Sequence, residues 1–70
     1  MNLVKVYEIE TGDFMMEYEA HIVPHKGEYL FIGELQVKVL NVYYIIGETN
    51  FDGDEYHDLM HIELEVEIVD

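Results

Sequence analysis

Apolar and acidic residues alternate one by one near the C-terminus, in residues 61–68 (HIELEVEI). Successive side chains of a β-strand point to opposite faces, so this period of two predicts a strand over residues 59–69. One face of that strand is aliphatic and predicts contact with a core. The other face carries the carboxylates of Glu63, Glu65 and Glu67, which predicts a row of negative charge on the surface.

Alternation and a β-rich composition predict four further strands earlier in the chain. They cover residues 3–10, 14–23, 28–32 and about 35–46, with Phe14, Met16, Tyr18, Ala20 and Ile22 on one face of the second. Turn signals separate them: Thr11-Gly12-Asp13, Pro24 with the loop after it, and Gly33-Glu34, which suits a two-residue hairpin. The alternation breaks around Leu40-Asn41-Val42, and this break predicts a β-bulge or a sharp bend.

Residues 47–58 (GETNFDGDEYHD) form the longest polar stretch of the chain and predict a mobile loop, with at most one short turn of helix. Short strands separated by turns favour a closed or nearly closed barrel, because a flat five-stranded sheet would leave one face uncovered. The predicted fold is therefore all-β: a small, five-stranded, antiparallel SH3-like barrel. Residues 1–70 are expected to form a single domain.

Charge narrows the range of partners. The chain has 16 acidic residues, 3 lysines and no arginine, for a formal net charge of −13. Proteins neutralise nucleic-acid phosphates with Lys and Arg, so direct binding of DNA or RNA is not expected, and neither is binding to an anionic membrane. A basic protein surface, a cation, or solubility alone stay open as reasons for the charge, and a basic protein surface is the partner predicted here. The N-terminus does not resemble a signal peptide and the chain has no cysteine, which together favour a cytoplasmic location.

Residues 18–42 (YEAHIVPHKGEYLFIGELQVKVLNV) resemble a layout found in small barrel proteins of bacteriophages and mobile elements. In that layout a strand ends at Pro, as at Pro24, and a Lys-Gly step follows, as at Lys26-Gly27. A hydrophobic strand, a Gly turn and a Val-x-x-Val strand come next. The resemblance implies the SH3-like fold and a phage context, in which some proteins block host defences by occupying a protein surface. It implies no activity and no functional residue.

The candidate partner-binding residues are acidic or apolar. Glu63, Glu65 and Glu67 are about 6.6–6.8 Å apart along a strand, a spacing of the same order as that of phosphates along a nucleic-acid strand. A row of this kind could imitate a nucleic acid, and the glutamates of the second predicted strand would add another. Apolar anchoring, or a homodimer contact, is expected from aromatic and aliphatic residues nearby. The full set is Glu17, Glu19, Glu63, Glu65, Glu67, Tyr43, Ile45 and Phe51.

Metal and catalytic chemistry find little support in the sequence. Asp52, Asp54 and Asp58 are rich in oxygen ligands, but their spacing does not meet the EF-hand pattern, so they are a weak cation-site alternative. His57 and His61 are four residues apart, which brings two ligands together on one face only if that region is helical. The chain has no Ser or Cys nucleophile and no phosphate-binding Gly-rich loop. Neither enzyme activity nor a cofactor is expected.

The sequence thus favours a non-enzymatic, acidic protein-interaction module. The specific hypothesis is a phage- or mobile-element-encoded inhibitor that occupies a basic, nucleic-acid-binding surface of a host protein. Two alternatives stay open: a structural, self-assembling component of a larger complex, and a small cation-binding domain.

Overall fold

In a computed structural model, which describes residues 1–69 apart from the side chains of Thr49 and Phe51, the chain forms five strands. They are β1 (Asn2–Glu8), β2 (Phe14–Ala20), β3 (Tyr29–Ile32), β4 (Leu35–Phe51) and β5 (Asp54–Val69). The strands form one sheet in the order β2-β1-β5-β4-β3, which curls into a half-barrel. Over residues 1–69 there is no helix of the length and hydrophobicity needed to cross a membrane.

The sheet is mixed, so the prediction of a wholly antiparallel barrel is wrong. Three neighbouring pairs are antiparallel, but β1 and β5 run parallel, with Val4 opposite Ile62 and Val6 opposite Leu64. The reason is parity: the chain reverses direction at each of four connections, so the first and fifth strands point the same way. The all-β class and the five strands are confirmed.

The core lies on the inner face of the three central strands. Among the side chains that the structure describes, seven are fully buried there: Val4, Val6, Val37, Val39, Ile62, Leu64 and Val66. Those on β5 are the aliphatic members of the alternating C-terminal stretch, which confirms that this pattern marks a strand over a core. Partly buried residues of the edge strands, such as Met16 and Leu30, pack against this cluster.

The predicted irregularity in the fourth strand is confirmed as a β-bulge at Leu40. Val39 lies opposite Val66, but the next paired residue, Asn41, lies opposite Glu65, so Leu40 is an extra residue. The insertion changes which positions face inward. Val39 is buried before the bulge, and after it Val42 packs against the core while Asn41 turns outward.

The second strand is shorter than predicted and contains its own irregularity. It ends at Ala20, so Ile22 lies beyond the sheet and is exposed. A register shift leaves Met15 as an extra residue between the pairs Val6–Met16 and Tyr7–Phe14. Phe14 therefore packs on Tyr7, with ring centroids 5.6 Å apart, and does not share the inner face of Met16 as predicted.

The prediction of a loop over residues 47–58 is wrong. β4 and β5 stay paired as far as Phe51 and Asp54, which leaves Asp52-Gly53 as a two-residue turn. Both turn residues have positive φ, 50° for Asp52 and 81° for Gly53, as a type I′ hairpin turn requires. Asp-Gly is a favoured dipeptide for that turn, so the polar stretch contains a sequence signal for a β-hairpin.

The distal part of this hairpin projects from the half-barrel. β1 pairs with β5 only from Ile62 onward, and β3 pairs with β4 only at Leu35–Lys38. Residues 45–61, called the arm below, thus form a two-stranded ribbon with no third strand among the described residues. The projection gives a radius of gyration of 14.3 Å and a long dimension of 52 Å. A compact domain of this length would have a radius of gyration of about 11 Å.

Candidate protein interface

The predicted C-terminal carboxylate row lies on the outer face of β5. Glu63, Glu65 and Glu67 alternate with the buried residues of that strand and point away from the core. Glu67 is exposed, whereas the other two are half-buried. The half-buried pair makes contacts within the molecule, and these contacts determine how much charge the row offers to a partner.

Glu63 is paired with the histidine two residues before it. His61 Nε2 lies 2.8 Å from Glu63 Oε2, and the two side chains are 19% and 33% exposed. Residues two apart on a strand share a face, so the alternating sequence itself places this pair together. The Glu63 carboxylate is therefore partly shielded by an imidazole ring.

Glu65 accepts two hydrogen bonds from β4. Asn41 Nδ2 donates to its Oε1 over 3.1 Å, and the Tyr43 hydroxyl donates to the same oxygen over 2.8 Å. The bulge at Leu40 turns these two side chains outward, next to the carboxylate. The pKa of Tyr43 is raised, because the hydrogen bond to Glu65 stabilises the protonated phenol, and burial and the negative charge act in the same direction.

Two of the three lysines interrupt the acidic rows. Lys5 on β1 lies between Glu17 of β2 and Glu63 of β5 in the sheet register. Lys38 on β4 lies opposite Glu67, and its Nζ is 5.9 Å from the centroid of the Tyr29 ring. The outer face of the half-barrel is consequently a mixed-charge surface, in which Lys5 separates the two rows of glutamates and Lys38 flanks the C-terminal row.

The remaining predicted binding residues occupy separate places. Glu17 and Glu19 are exposed on the edge strand β2, with β1 between them and the C-terminal row. Tyr43 is partly exposed beside Glu65, and Ile45 is half-buried at the base of the arm. Phe51 closes the hairpin, but its side chain lies outside the described set. The fold does not gather these residues into one patch.

The arm carries acidic and apolar groups together, which the sequence analysis missed by treating it as a loop. Its acidic residues are Glu48, Asp52, Asp54, Glu55 and Asp58, and it has no Lys or Arg, so its formal charge is −5 with His neutral. Exposed apolar side chains lie among them, including Ile46 (54%), Leu59 (41%) and Met60 (64%). The arm is thus an exposed ribbon of purely anionic charge with large apolar side chains.

The arm rearranges the residues that the sequence suggested for cation binding. Within residues 1–69, the potential ligand group that comes within 4.8 Å is Glu48, Glu55 and His57, and all three are exposed. Glu48 and His57 lie directly opposite each other in the β4–β5 pair, and Glu55 lies on the same face of the arm. Asp54 and Asp58 alternate onto the opposite face of the arm. The weak site predicted from Asp52, Asp54 and Asp58 is not assembled as one group.

Two clefts on the half-barrel stand out among the residues that the structure describes. One, of about 390 Å³, separates the edge strands and is lined by Val6, Met16, Tyr18, Leu30, Phe31 and Ile32. The other, of about 310 Å³, lies between β4 and the loop after β2; its lining is Pro24, His25, Lys26 and the β4 residues from Asn41 to Tyr44. The first is mainly apolar, and burial raises the pKa of its Tyr18 hydroxyl. Neither lining contains paired acid and base groups for catalysis.

Comparison with known proteins gives no relative for this arrangement. No protein-family model, curated protein or solved structure matches the chain. The features that bear on function are therefore the arm, the glutamate rows and the two clefts.

Proposed function

We propose that this chain is a non-enzymatic interaction module that binds a basic protein surface, with the arm as its principal contact. The supporting observation is the composition and position of the arm: a projecting ribbon with a formal charge of −5, no cation and large exposed apolar side chains. Anionic charge steers a basic partner and selects it, and apolar groups among the charges provide the area that becomes buried.

The glutamates of the half-barrel contribute unequally in this proposal. Glu17, Glu19 and Glu67 are exposed and free to approach a cationic partner, although lysines lie near them. Glu63 and Glu65 already hold partners within the molecule. Removing either of those two carboxylates would break an internal contact as well as reduce charge, so they are poor choices for testing recognition.

We also propose the more specific form of this function, in which the partner is a nucleic-acid-binding surface of a host protein and the chain is a phage- or mobile-element-encoded inhibitor with an SH3-like fold. The phosphate-like interval of about 6.6–6.8 Å between alternate residues of β5 supports the mimicry. The bulge in β4 supports the fold assignment, because such barrels need a sharply bent strand.

The test is affinity capture from a lysate of the natural host at two salt concentrations, with two variants of equal charge. One variant neutralises the arm: Glu48→Gln, Asp54→Asn and Glu55→Gln. The control neutralises exposed loop residues: Glu10→Gln, Asp13→Asn and Glu34→Gln. We expect the native chain and the control to retain a basic partner at low salt and release it at high salt, because salt screens the attraction.

The arm variant should lose that partner at both salt concentrations. Equal capture by the two variants would show that total charge, and not the arm, governs binding. A partner retained equally at low and high salt would contradict electrostatic recognition altogether.

A further inference from the structure

One edge of β4 is unpaired along most of its length. β3 covers it only at Leu35–Lys38, and the backbone of Val39 then bonds to Gly27 and Glu28 in the preceding loop. From Asn41 to the tip of the arm, β4 has β5 on one side and, within the described part of the chain, no strand on the other. An open edge of this kind is a template for a further strand.

The ladder between β4 and β5 determines which backbone groups are available on that edge. The residues that close a two-residue hairpin turn bond to each other, so the pair Phe51–Asp54 is hydrogen-bonded. A register shift between Ile45 and Ile46 makes Met60 an extra residue of β5, but it inserts no residue in β4. Counting back along β4, every second residue therefore also bonds to β5, and the residues between them direct N–H and C=O outward. The outward residues are Val42, Tyr44, Ile46, Glu48 and Asn50.

The other side of the hairpin gives the same assignment independently. The carbonyl of Val66 accepts a hydrogen bond from the N–H of Ile9, on the β1 side of β5. Alternate residues of β5 therefore bond to β4, among them Glu65 and Glu63, which lie opposite Asn41 and Tyr43. The odd-numbered residues of β4 are thus used by β5 in this region, and the even-numbered ones are free.

Side chains of the free residues form a mainly apolar row. Tyr44 and Ile46 are each 54% exposed, and Val42 joins them to the core. Glu48 is the only charged member of the row. A basic peptide strand would find one carboxylate here, whereas another strand with apolar side chains would find apolar contact at Val42, Tyr44 and Ile46.

We propose that two copies of this chain associate by antiparallel pairing of their β4 edges about Ile46, so that the two arms form one four-stranded sheet. The edge is complementary to itself in this register, because each outward residue meets another outward residue of the partner copy. Ile46 faces Ile46, Tyr44 faces Glu48, and Val42 faces Asn50. No carboxylate lies directly opposite another, and such a two-fold contact closes on itself.

Charge complementarity at the two ends of this edge favours a second copy. Antiparallel pairing carries the tip of one arm, with Asp52 and Glu55, past Val42 of the other copy. There the cleft of about 310 Å³ is lined by His25 and Lys26. Lys26 is the lysine that lies outside the sheet, so it is available to the carboxylates of the partner copy's tip.

Pairing would also remove a weakness of the arm. A two-stranded ribbon with exposed apolar side chains is marginal in water, and a third and fourth strand would stabilise it.

Each chain carries a net charge of −13, so repulsion between copies opposes the dimer and salt relieves that repulsion. Salt should therefore strengthen self-association, which is opposite to its expected effect on a basic partner. The inference extends beyond the proposed function and does not depend on it.

The experiment is sedimentation equilibrium over a range of protein concentrations, at about 0.05 and 0.5 M salt, where the Debye length falls several-fold. We expect a monomer–dimer equilibrium with a dissociation constant at least threefold lower at the higher salt. Ile46→Pro removes an outward N–H that the fold does not use and should abolish dimerisation. Ile46→Thr keeps that N–H and the β-branched shape, so the Thr variant should still dimerise, more weakly.

A charge exchange tests the register even if the proline variant fails to fold. Lys26→Glu should weaken the dimer at least fivefold, and adding Glu55→Lys should restore most of the affinity. A monomer at every concentration, an unlimited assembly, or no effect of Lys26→Glu would overturn the inference. A chain that stays monomeric yet captures a basic partner would contradict this dimer and leave the proposed function standing.

Discussion

β4 and β5 have two halves with opposite surroundings. In their proximal halves they lie at the centre of the half-barrel, where Val39, Ile62 and Leu64 are fully buried. In their distal halves, the arm, the described side chains are half-buried or exposed, including the apolar residues Ile46 and Leu59. Both halves are paired β-strand, so strand formation and core formation are separate properties of this chain.

The difference has a physical cause in the neighbouring strands. The proximal half of β5 has β1 on one side and β4 on the other, and the inner face curls over the core. Within residues 1–69 the distal half of each strand has one neighbouring strand, held by the β4–β5 ladder and the Asp52-Gly53 turn. Because side-chain burial stabilises the first region and backbone pairing the second, mutations should affect them differently.

The largest expected effect comes from a cavity in the core. Leu64→Ala should lower the free energy of unfolding by about 2–5 kcal/mol, because it removes a fully buried side chain between neighbouring strands. The matched change in the arm, Leu59→Ala, should alter it by about 0.5 kcal/mol or less, since that leucine is already partly in water. Urea denaturation monitored by circular dichroism compares the two. Similar losses would show that the arm is part of the cooperative core.

Sequence alone was sufficient to identify the strands of the proximal region, but not the parallel pairing of β1 with β5, and it was insufficient for the distal region. The alternation around Ile62, Leu64 and Val66 identifies a strand because a core needs one apolar face. In the arm that requirement is absent, and polar and apolar residues are mixed on both faces, so periodicity carries little information. The Asp52-Gly53 dipeptide was the informative local signal.

The sequence predicted which glutamates of the candidate site share a face, but not which residues lie beside them. Glu63, Glu65 and Glu67 lie on one face, as alternation requires. The partners of those glutamates depend on register between strands distant in sequence: Lys5 beside Glu63, and Asn41 beside Glu65. Alternation along one strand does not determine which residues of a distant strand lie opposite it. The sequence therefore could not predict that lysines interrupt the acidic rows.

An intermediate effect is expected at the arm's turn. Gly53 has a φ of 81°, a backbone region that disfavours any residue with a Cβ, so Gly53→Ala should destabilise the hairpin by about 1–2 kcal/mol. The loss should appear as faster amide hydrogen exchange in residues 45–61, with exchange around Leu64 unchanged. Asp52→Asn is the control, because Asn-Gly suits the same turn. Uniformly faster exchange throughout the sheet would contradict independent stability of the arm.

A smaller effect is expected where Met60 crosses Gly47. A Cβ on Gly47 would come within 2.6 Å of the Met60 sulfur and 2.8 Å of its Cγ. Met60 is flexible and 64% exposed, so its side chain can move aside, and Gly47→Ala should change stability by less than about 1 kcal/mol. In a Met60→Ala background the same substitution should be neutral or stabilising. An equal penalty in both backgrounds, by thermal unfolding, would point to backbone strain instead of this contact.

The smallest effect is confined to one phenol on the outer face. The hydrogen bond from Tyr43 to Glu65 raises the pKa of Tyr43 above its usual value of 10.0. Since the folded-state pKa exceeds the unfolded one, the stabilisation is fully present below pH 10 and is lost as pH rises through the folded pKa. Glu65→Gln should bring that pKa back towards 10. Tyr43→Phe should remove one late-titrating phenol from the ultraviolet absorbance titration and leave Tyr18, whose pKa is also raised, in place. The control is Tyr56→Phe, which changes a phenol on the arm and should leave the Tyr43 transition in place. If the titration of Glu65→Gln is the same as that of the native chain, the Glu65 carboxylate does not control the pKa of Tyr43.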